Sequence, residues 1–361
     1  MEPKAHNMYL KFALKNNYNI LSDKPITVIK GMNKKENVDY VQKQFWDLIK
    51  LYKKSKSNCK IMCQRQYHRG YNFIKDLLKE IVVSYDIPIT YIDIYHCSGT
   101  WEILHDLNKE NHPYKYGYGK LFHSGYHFID LLAELLKINE NLSKSKKLKT
   151  GKVYNNYFTP EDELSVFNKN DYTKMFPNQT LPSVYNEKNT NLKGYGEKNY
   201  YGLLSFYNEN NRLITTVNMN LLHYGFSRRG WIDSRDFYKS NGRIRHEKIN
   251  IQVGSLMNIQ VHSYQSKEIS ERKKLLEEIN TGGLEHFDID IYRNVELIGG
   301  KAYERIRLCD LYDDINQAHF NGYNEYSREE CLTEFLNNSS AKSDLNKHQL
   351  AMNILYSVSK A

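Results

Sequence analysis

Tyr18-Asn19-Ile20-Leu21-Ser22-Asp23-Lys24-Pro25 reads as a short apolar strand ended by a lysine–proline pair, because proline offers no N–H to a ladder and restricts the residue before it. Upstream, Tyr9, Phe12 and Ala13 fall at helical spacing and the run stops at Asn16-Asn17. Downstream, Val38, Val41, Phe45, Leu48 and Tyr52 form the apolar stripe of a second helix. Cys59 to Cys63 reads as a buried strand, and Phe73, Leu77 and Ile81 mark a helix from about Gly70 to Tyr85. This α-β-α-β-α order is what a doubly wound parallel sheet requires, with ligand chemistry expected at the carboxyl ends of its strands.

The pattern changes after Pro88. Ile89 to Tyr95 reads as a strand, and a His-, Asn-, Tyr- and Gly-rich loop leads to a strong helix from about His123 to Ile138. The stretch from Asn141 to Lys198 is polar and reads as loop-rich. Beyond it, Gly202 to Tyr207, Leu213 to Leu221, Lys248 to Val253, Leu256 to Tyr264 and Phe287 to Asn294 are β-rich, which predicts a mostly antiparallel sheet. Asp344 to Lys360 closes the chain as a helix, with no repeat of solenoid period.

Composition narrows the function classes. A net charge of +9 and 30 tyrosines raise the question of nucleic acid, since basic groups neutralise phosphates and aromatic rings stack on bases. The lysines, however, sit in solvated runs such as Lys144 to Lys149, and no nucleic-acid-binding motif is present, so no nucleic-acid partner is expected. The longest apolar stretches are far below the ~20 residues that span a bilayer, which argues against a membrane partner, and the N-terminus lacks a signal-peptide core. A cytoplasmic location is expected. Five scattered cysteines read as reduced thiols.

Several side chains could carry chemistry. Lys24 at a strand end is either a solvated lysine or a cation at the ligand-binding edge of a parallel sheet. His123, His127 and Asp130 are spaced four and three apart, which on a helix gives them one face. That face could be a structural polar stripe, an acid–base site or part of a metal site. No third metal ligand is evident, so no metal is expected. Gln64 and Arg65 follow a buried strand and could meet a cofactor or an anionic substrate. Trp101 could wall a sugar pocket or pack in a core, and Tyr126 and His68 are weaker candidates.

Two segments carry a family resemblance. Pro3-Lys4-Ala5-His6, Ala13-Leu14 and Asn19 to Pro25 together resemble the P-x-x-H … A-L … E-K-P run of the Gfo/Idh/MocA oxidoreductases, with Asp23 in place of the usual Glu. Gly119 to Leu132 is similar to the family's G-x-x-x-D-x-G-x-H-x-x-D helix, with His123 in place of the first acidic residue. Gln64-Arg65-Gln66-Tyr67-His68 and the closing helix match further segments in order. The resemblance implies an incomplete Rossmann domain over 1–87, an α+β domain with a large open sheet over 88–340, and a helix over 341–361 that packs back on the Rossmann part.

It also implies reversible hydride transfer between NAD or NADP and a hydroxyl of a sugar, cyclitol or related polyol. Lys24 would stabilise alkoxide character, with His127 as base and His123 beside it. Pro3, His6, Asp23, Lys24, Pro25, Gln64 and Arg65 would face the cofactor, and Arg65, Trp101, Tyr126 and Asp130 the substrate. A homo-oligomer through the open sheet is implied as well. The sequence holds no Gly-x-Gly-x-x-Gly turn: Gly117-Tyr118-Gly119 and Gly194-Tyr195-Gly196 lack the third glycine and join no strand to a helix. The chain therefore reads as starting inside such a domain and binding NAD(P) poorly on its own. The alternative is a non-catalytic remnant that keeps the sheet for assembly.

Overall fold

The computed structural model describes residues 2–101, 107, 114–175, 191–225, 227–228, 244–266, 285–312, 323–337 and 342–360. Its first part alternates as expected: α1 (His6–Lys15), β1 (Ile20–Ser22), α2 (Lys35–Tyr52), β2 (Cys59–Ile61) and α3 (Arg69–Tyr85). β1 and β2 pair in parallel, with Ile20 opposite Cys59 and Ser22 opposite Ile61. Strands this short supply little ladder, so neighbouring segments complete the pairing. The free edge of β2 is covered by residues 343 and 344: Ile61 N–H donates to the Ser343 carbonyl at 2.9 Å, and Ser343 Oγ donates to the Ile61 carbonyl at 2.6 Å. α2 buries the predicted stripe of Val38, Val41, Phe45 and Leu48.

The second part is one eight-stranded sheet. Its strands are β3 (Ile89–Cys97), β5 (Thr150–Phe158), β6 (Asn199–Tyr207), β7 (Leu213–Leu222), β9 (Ile244–Val253), β10 (Met257–Ser266), β11 (Glu285–Arg293) and β12 (Tyr303–Arg307), in spatial order β12-β11-β10-β9-β3-β7-β6-β5. β3 and β7 run parallel; every other neighbouring pair is antiparallel. Two residues, Thr100–Trp101 (β4), pair with Ser227–Arg228 (β8) outside it.

Alternation assigns the faces. Ile92 and Ile94 of β3, Val217 and Met219 of β7, and Ile249 and Ile251 of β9 are buried on the face covered by α4 (Tyr126–Ile138). Asp93, Asn218, Asn250 and Asn258 point the other way and bond along the surface, with Asn218 Nδ2 donating to Asp93 Oδ1 at 2.9 Å. Toward the carboxyl end of β3 the inner face changes from apolar to polar: His96 follows Ile94, and opposite it Glu247 precedes Ile249. That change marks where chemistry can sit.

The sequence reading missed several elements. The polar stretch after Asn141 contains β5, followed by α5 (Pro160–Val166), whose Thr159 forms a capping box with Asp162, and α6 (Lys169–Met175). β5 alternates exposed and half-buried residues at the sheet edge, so its apolar signal is diluted. β12 and α7 (Tyr323–Leu336) were also unread. The closing segment opens with a 3₁₀ turn at Leu345–His348 before α8 (Gln349–Lys360). Among the described residues no helix is long and apolar enough to cross a membrane, and none of the five cysteines is paired.

Candidate active site

The carboxyl ends of β1 and β2 lie side by side, followed by Asp23-Lys24-Pro25 and by Met62-Cys63-Gln64-Arg65. His6, at the first position of α1, sets the turn after β1: its Nδ1 lies 2.7 Å from the Pro25 carbonyl across a cis Lys24–Pro25 bond. The Pro3 to His6 segment therefore acts from behind the turn, which leaves Lys24 partly exposed at the strand end. Asp23 is exposed and accepts the Lys24 N–H at 2.8 Å.

α4 brings His127 and Asp130 to this edge. Cys63 Sγ lies 3.5 Å from His127 Nδ1 and 3.1 Å from Asp130 Oδ2. Burial, followed by the positive charges of Lys24, Arg65, Arg328 and Arg245, holds His127 well below the ordinary imidazole range. Lys24 and His127 thus share one electrostatic neighbourhood, and the imidazole is neutral at physiological pH.

Asp130 does not face outward. Gln66 Nε2 reaches both of its oxygens at 2.9 and 3.0 Å, Cys63 reaches one, and His348 Nδ1 lies 3.0 Å from the other. Burial pushes this carboxyl up, but His348, Cys63 and Gln66 together bring it below its usual range. Its place is a support behind His127 rather than a substrate contact. Tyr126 is also withdrawn: fully buried, it bonds His348 Nδ1 at 2.9 Å.

Arg65 departs from the expectation of a surface or anion-binding group. Its guanidinium is buried against Glu247 in a close ion pair and lies 3.9 Å over the Phe128 ring. Tyr71 OH donates to the second Glu247 oxygen at 2.9 Å. Gln64 is buried and accepts from Arg328 Nε at 3.0 Å. His68 is held neutral, down to about 3, by burial and by Arg65.

His123 does not share a helical face with His127, because α4 begins at Tyr126 and His123 sits in the turn before it. There it is buried between the rings of Tyr114 and Tyr118, each centred 5.6 Å away. Two glycine segments build that turn. A Cβ on Gly119 would meet the Glu197 carbonyl oxygen at 2.0 Å, and one on Gly196 would meet the Tyr118 carbonyl carbon at 2.2 Å. Lys120 N–H donates across this crossing to the Glu197 carbonyl at 2.8 Å. Gly117-Tyr118-Gly119 and Gly194-Tyr195-Gly196 are therefore glycine-rich so that two backbones can cross in contact. Trp101 lies in β4, and its side chain is outside the described residues.

The strand-end edge with Lys24 suits a nicotinamide beside the reacting carbon. At Gly119 and Gly196 the close approach that could cradle a diphosphate is taken by protein backbone, and the sequence holds no Gly-x-Gly-x-x-Gly motif. Among the described residues, neither of these two glycine segments offers the diphosphate a cradle.

Cys63, Gln66, Glu247 and His348 are site residues that the sequence reading did not assign. Each becomes legible only through a long-range contact, such as that joining residues 65 and 247. Among the described residues no cluster of His, Cys, Asp and Glu could hold a metal ion.

No protein-family model matches the sequence, and no curated relative was found. Solved structures do match in fold. An oxidoreductase domain protein from Kribbella flavida aligns with a TM-score of 0.54 at 12% identity, over 99% of this chain and 76% of that one. The aldose-aldose oxidoreductase of Caulobacter crescentus, complexed with glycerol, aligns with a TM-score of 0.51 at 9% identity, over 99% and 73%. With its short parallel unit, its eight-stranded mixed sheet and the helix between them, this chain shares the fold of these solved oxidoreductases.

Proposed function

We propose that this chain carries the proton-handling half of an NAD- or NADP-dependent oxidation of a secondary hydroxyl on a sugar, cyclitol or other polyol. The reading is supported by the buried His127 imidazole, which lies within reach of the Lys24 charge beyond β1, and by Asp130, which is tied to Cys63 beside the imidazole. A nicotinamide, when bound, supplies the hydride acceptor. In this chain, the Lys24 ammonium lowers the energy of the developing alkoxide, and His127 takes the hydroxyl proton. Burial, with the cations around it, keeps His127 unprotonated and able to accept. The outer face of the eight-stranded sheet, ordered by its Asn and Asp bonds, is the surface proposed for self-association.

The test is an assay of the purified chain with NAD+ and NADP+, over a wide concentration range, against a panel of neutral polyols. Polyol-dependent formation of reduced nicotinamide is expected, falling about 10²–10⁴-fold in His127→Ala. Absence of turnover with both cofactors, or an unaffected variant, would overturn the reading. Because the diphosphate finds no glycine turn, calorimetry is expected to show weaker than micromolar NAD(H) binding to the chain alone.

A further inference from the structure

The buried Cys63 thiol stands between a carboxylate and an imidazole, and the mechanism above does not use it. Its sulfur is 3.1 Å from Asp130 Oδ2 and 3.5 Å from His127 Nδ1. The single thiol proton can serve only one neighbour. Asp130 is a carboxylate with no proton of its own to offer, so an S–H turned away from it would set sulfur lone pairs against carboxylate lone pairs in a buried space. The thiol hydrogen therefore belongs to Asp130. His127 Nδ1 must then carry a hydrogen toward sulfur, since a bare nitrogen there would face sulfur lone pairs.

We infer that Cys63 is a positioning residue that relays Asp130 to His127, fixing the imidazole as its Nδ1–H tautomer with the lone pair on Nε2. Metal-binding and catalytic histidines are commonly oriented by a direct contact from the second ring nitrogen to a carboxylate or carbonyl. Here the carboxylate is already engaged by Gln66 and His348, and the thiol fills the gap to the ring. Burial and Asp130 push the thiol well above its ordinary range, which keeps it protonated and able to donate. The sulfur is thus a proton-ordering group and not a nucleophile.

Only the role of Nε2 as the accepting atom rests on the proposed oxidation. The tautomer can be measured without substrate or cofactor. Nitrogen-15 NMR of histidine-labelled chain, with the His127 signals identified by their loss in His127→Gln, reads which ring nitrogen bears hydrogen. The expected result is a preference for Nδ1–H of roughly tenfold, one hydrogen bond's worth. It should fall to parity or reverse in Cys63→Ala and recover in Cys63→Ser. The His6 and His348 signals report whether each variant stays folded. A wild-type His127 protonated on Nε2, or a tautomer unchanged in a folded Cys63→Ala, would overturn the inference whatever the polyol assay shows. Should Cys63→Ala fail to fold, the wild-type tautomer alone still decides it.

Discussion

The two sheets of this protein hold together by different means. In the eight-stranded sheet, strands of nine and ten residues make long ladders, and Ile251, Ile259, Val261, Ile289 and Ile291 are buried along one face. β1 and β2 have three residues each. Their place is kept by side-chain bonds from outside the strands: His6 on Pro25 and, from far away in sequence, Ser343 on Ile61 and Tyr356 OH at 3.0 Å from Thr27 Oγ1. The large sheet is stabilised mostly by apolar area removed from water, while the small one depends on buried polar bonds that are costly when half-made. The proposed chemistry lies on the second kind, so function and stability are coupled there.

The sharpest way to break this comparison is His348→Ala. The imidazole touches Asp130, Tyr126 and Ser343 and is fully buried. Its loss strips Asp130 of a neighbour in a dry site, at an expected cost of about 3 kcal/mol, between a buried hydrogen bond and a buried ion pair. Urea unfolding is the measurement. A loss under about 0.5 kcal/mol, the size typical of a surface change, would mean that the small sheet does not depend on this network.

Gly119→Ala tests a second support of the site. The new methyl would need the space of the Glu197 backbone at 2.0 and 2.5 Å, and neither chain can move without displacing the turn before α4. Overpacking of this kind costs about 1–3 kcal/mol, read as a lower thermal midpoint. An equally stable variant would show that the crossing can open.

How much of this was legible in the sequence follows the same division. The helices α1 to α3 and the strands between them announce themselves through local periodicity, as do β7 and β9 to β11. The place of Lys24 beyond a strand was readable because a lysine–proline pair ends an apolar run, and the shared helix of His127 and Asp130 because helical spacing is local. The His123 expectation failed for a definite reason: Gly125 and the Lys120 to Ser124 turn delay the helix, so the i, i+4 rule does not reach back to residue 123. Arg65 looked like an anion-binding group because its partner, Glu247, is 182 residues away. β5 was hidden by its edge position, where alternation is between exposed and half-buried positions rather than polar and apolar residues.

Glu197→Gln sharpens the comparison through pH. Burial raises the Glu197 carboxyl from 4.5 to about 7, against the opposing pull of the Leu121 N–H and of Lys120. A carboxyl that is harder to ionise in the folded chain gives its full support below the unfolded value. That support is lost as pH rises from 4.5 through about 7 and is constant above. The glutamine amide keeps an acceptor for Leu121 N–H, 2.7 Å from Glu197 Oε1, without a charge to bury. Wild-type stability relative to the variant is expected to fall across that window in denaturant titrations. A difference independent of pH would contradict a half-buried, reluctant carboxylate at the crossing.

The smallest effect belongs to the rim of the large sheet. Arg305 on β12 makes a bond of 2.7 Å to Asp290 on β11, but its side chain is 45% exposed. The Arg65–Glu247 pair has the same chemistry with both side chains buried. Exposed pairs gain little, because water and salt screen the attraction and ordering the arginine costs entropy. Arg305→Ala is therefore expected to change unfolding free energy by no more than about 1 kcal/mol, and by less at high salt. Asp290 also accepts from Tyr303 OH at 2.7 Å, so its carboxylate stays partnered after the arginine is gone. A loss as large as that expected for His348→Ala would place polar support in the large sheet too, and the contrast between ladder-held and side-chain-held regions would not survive it.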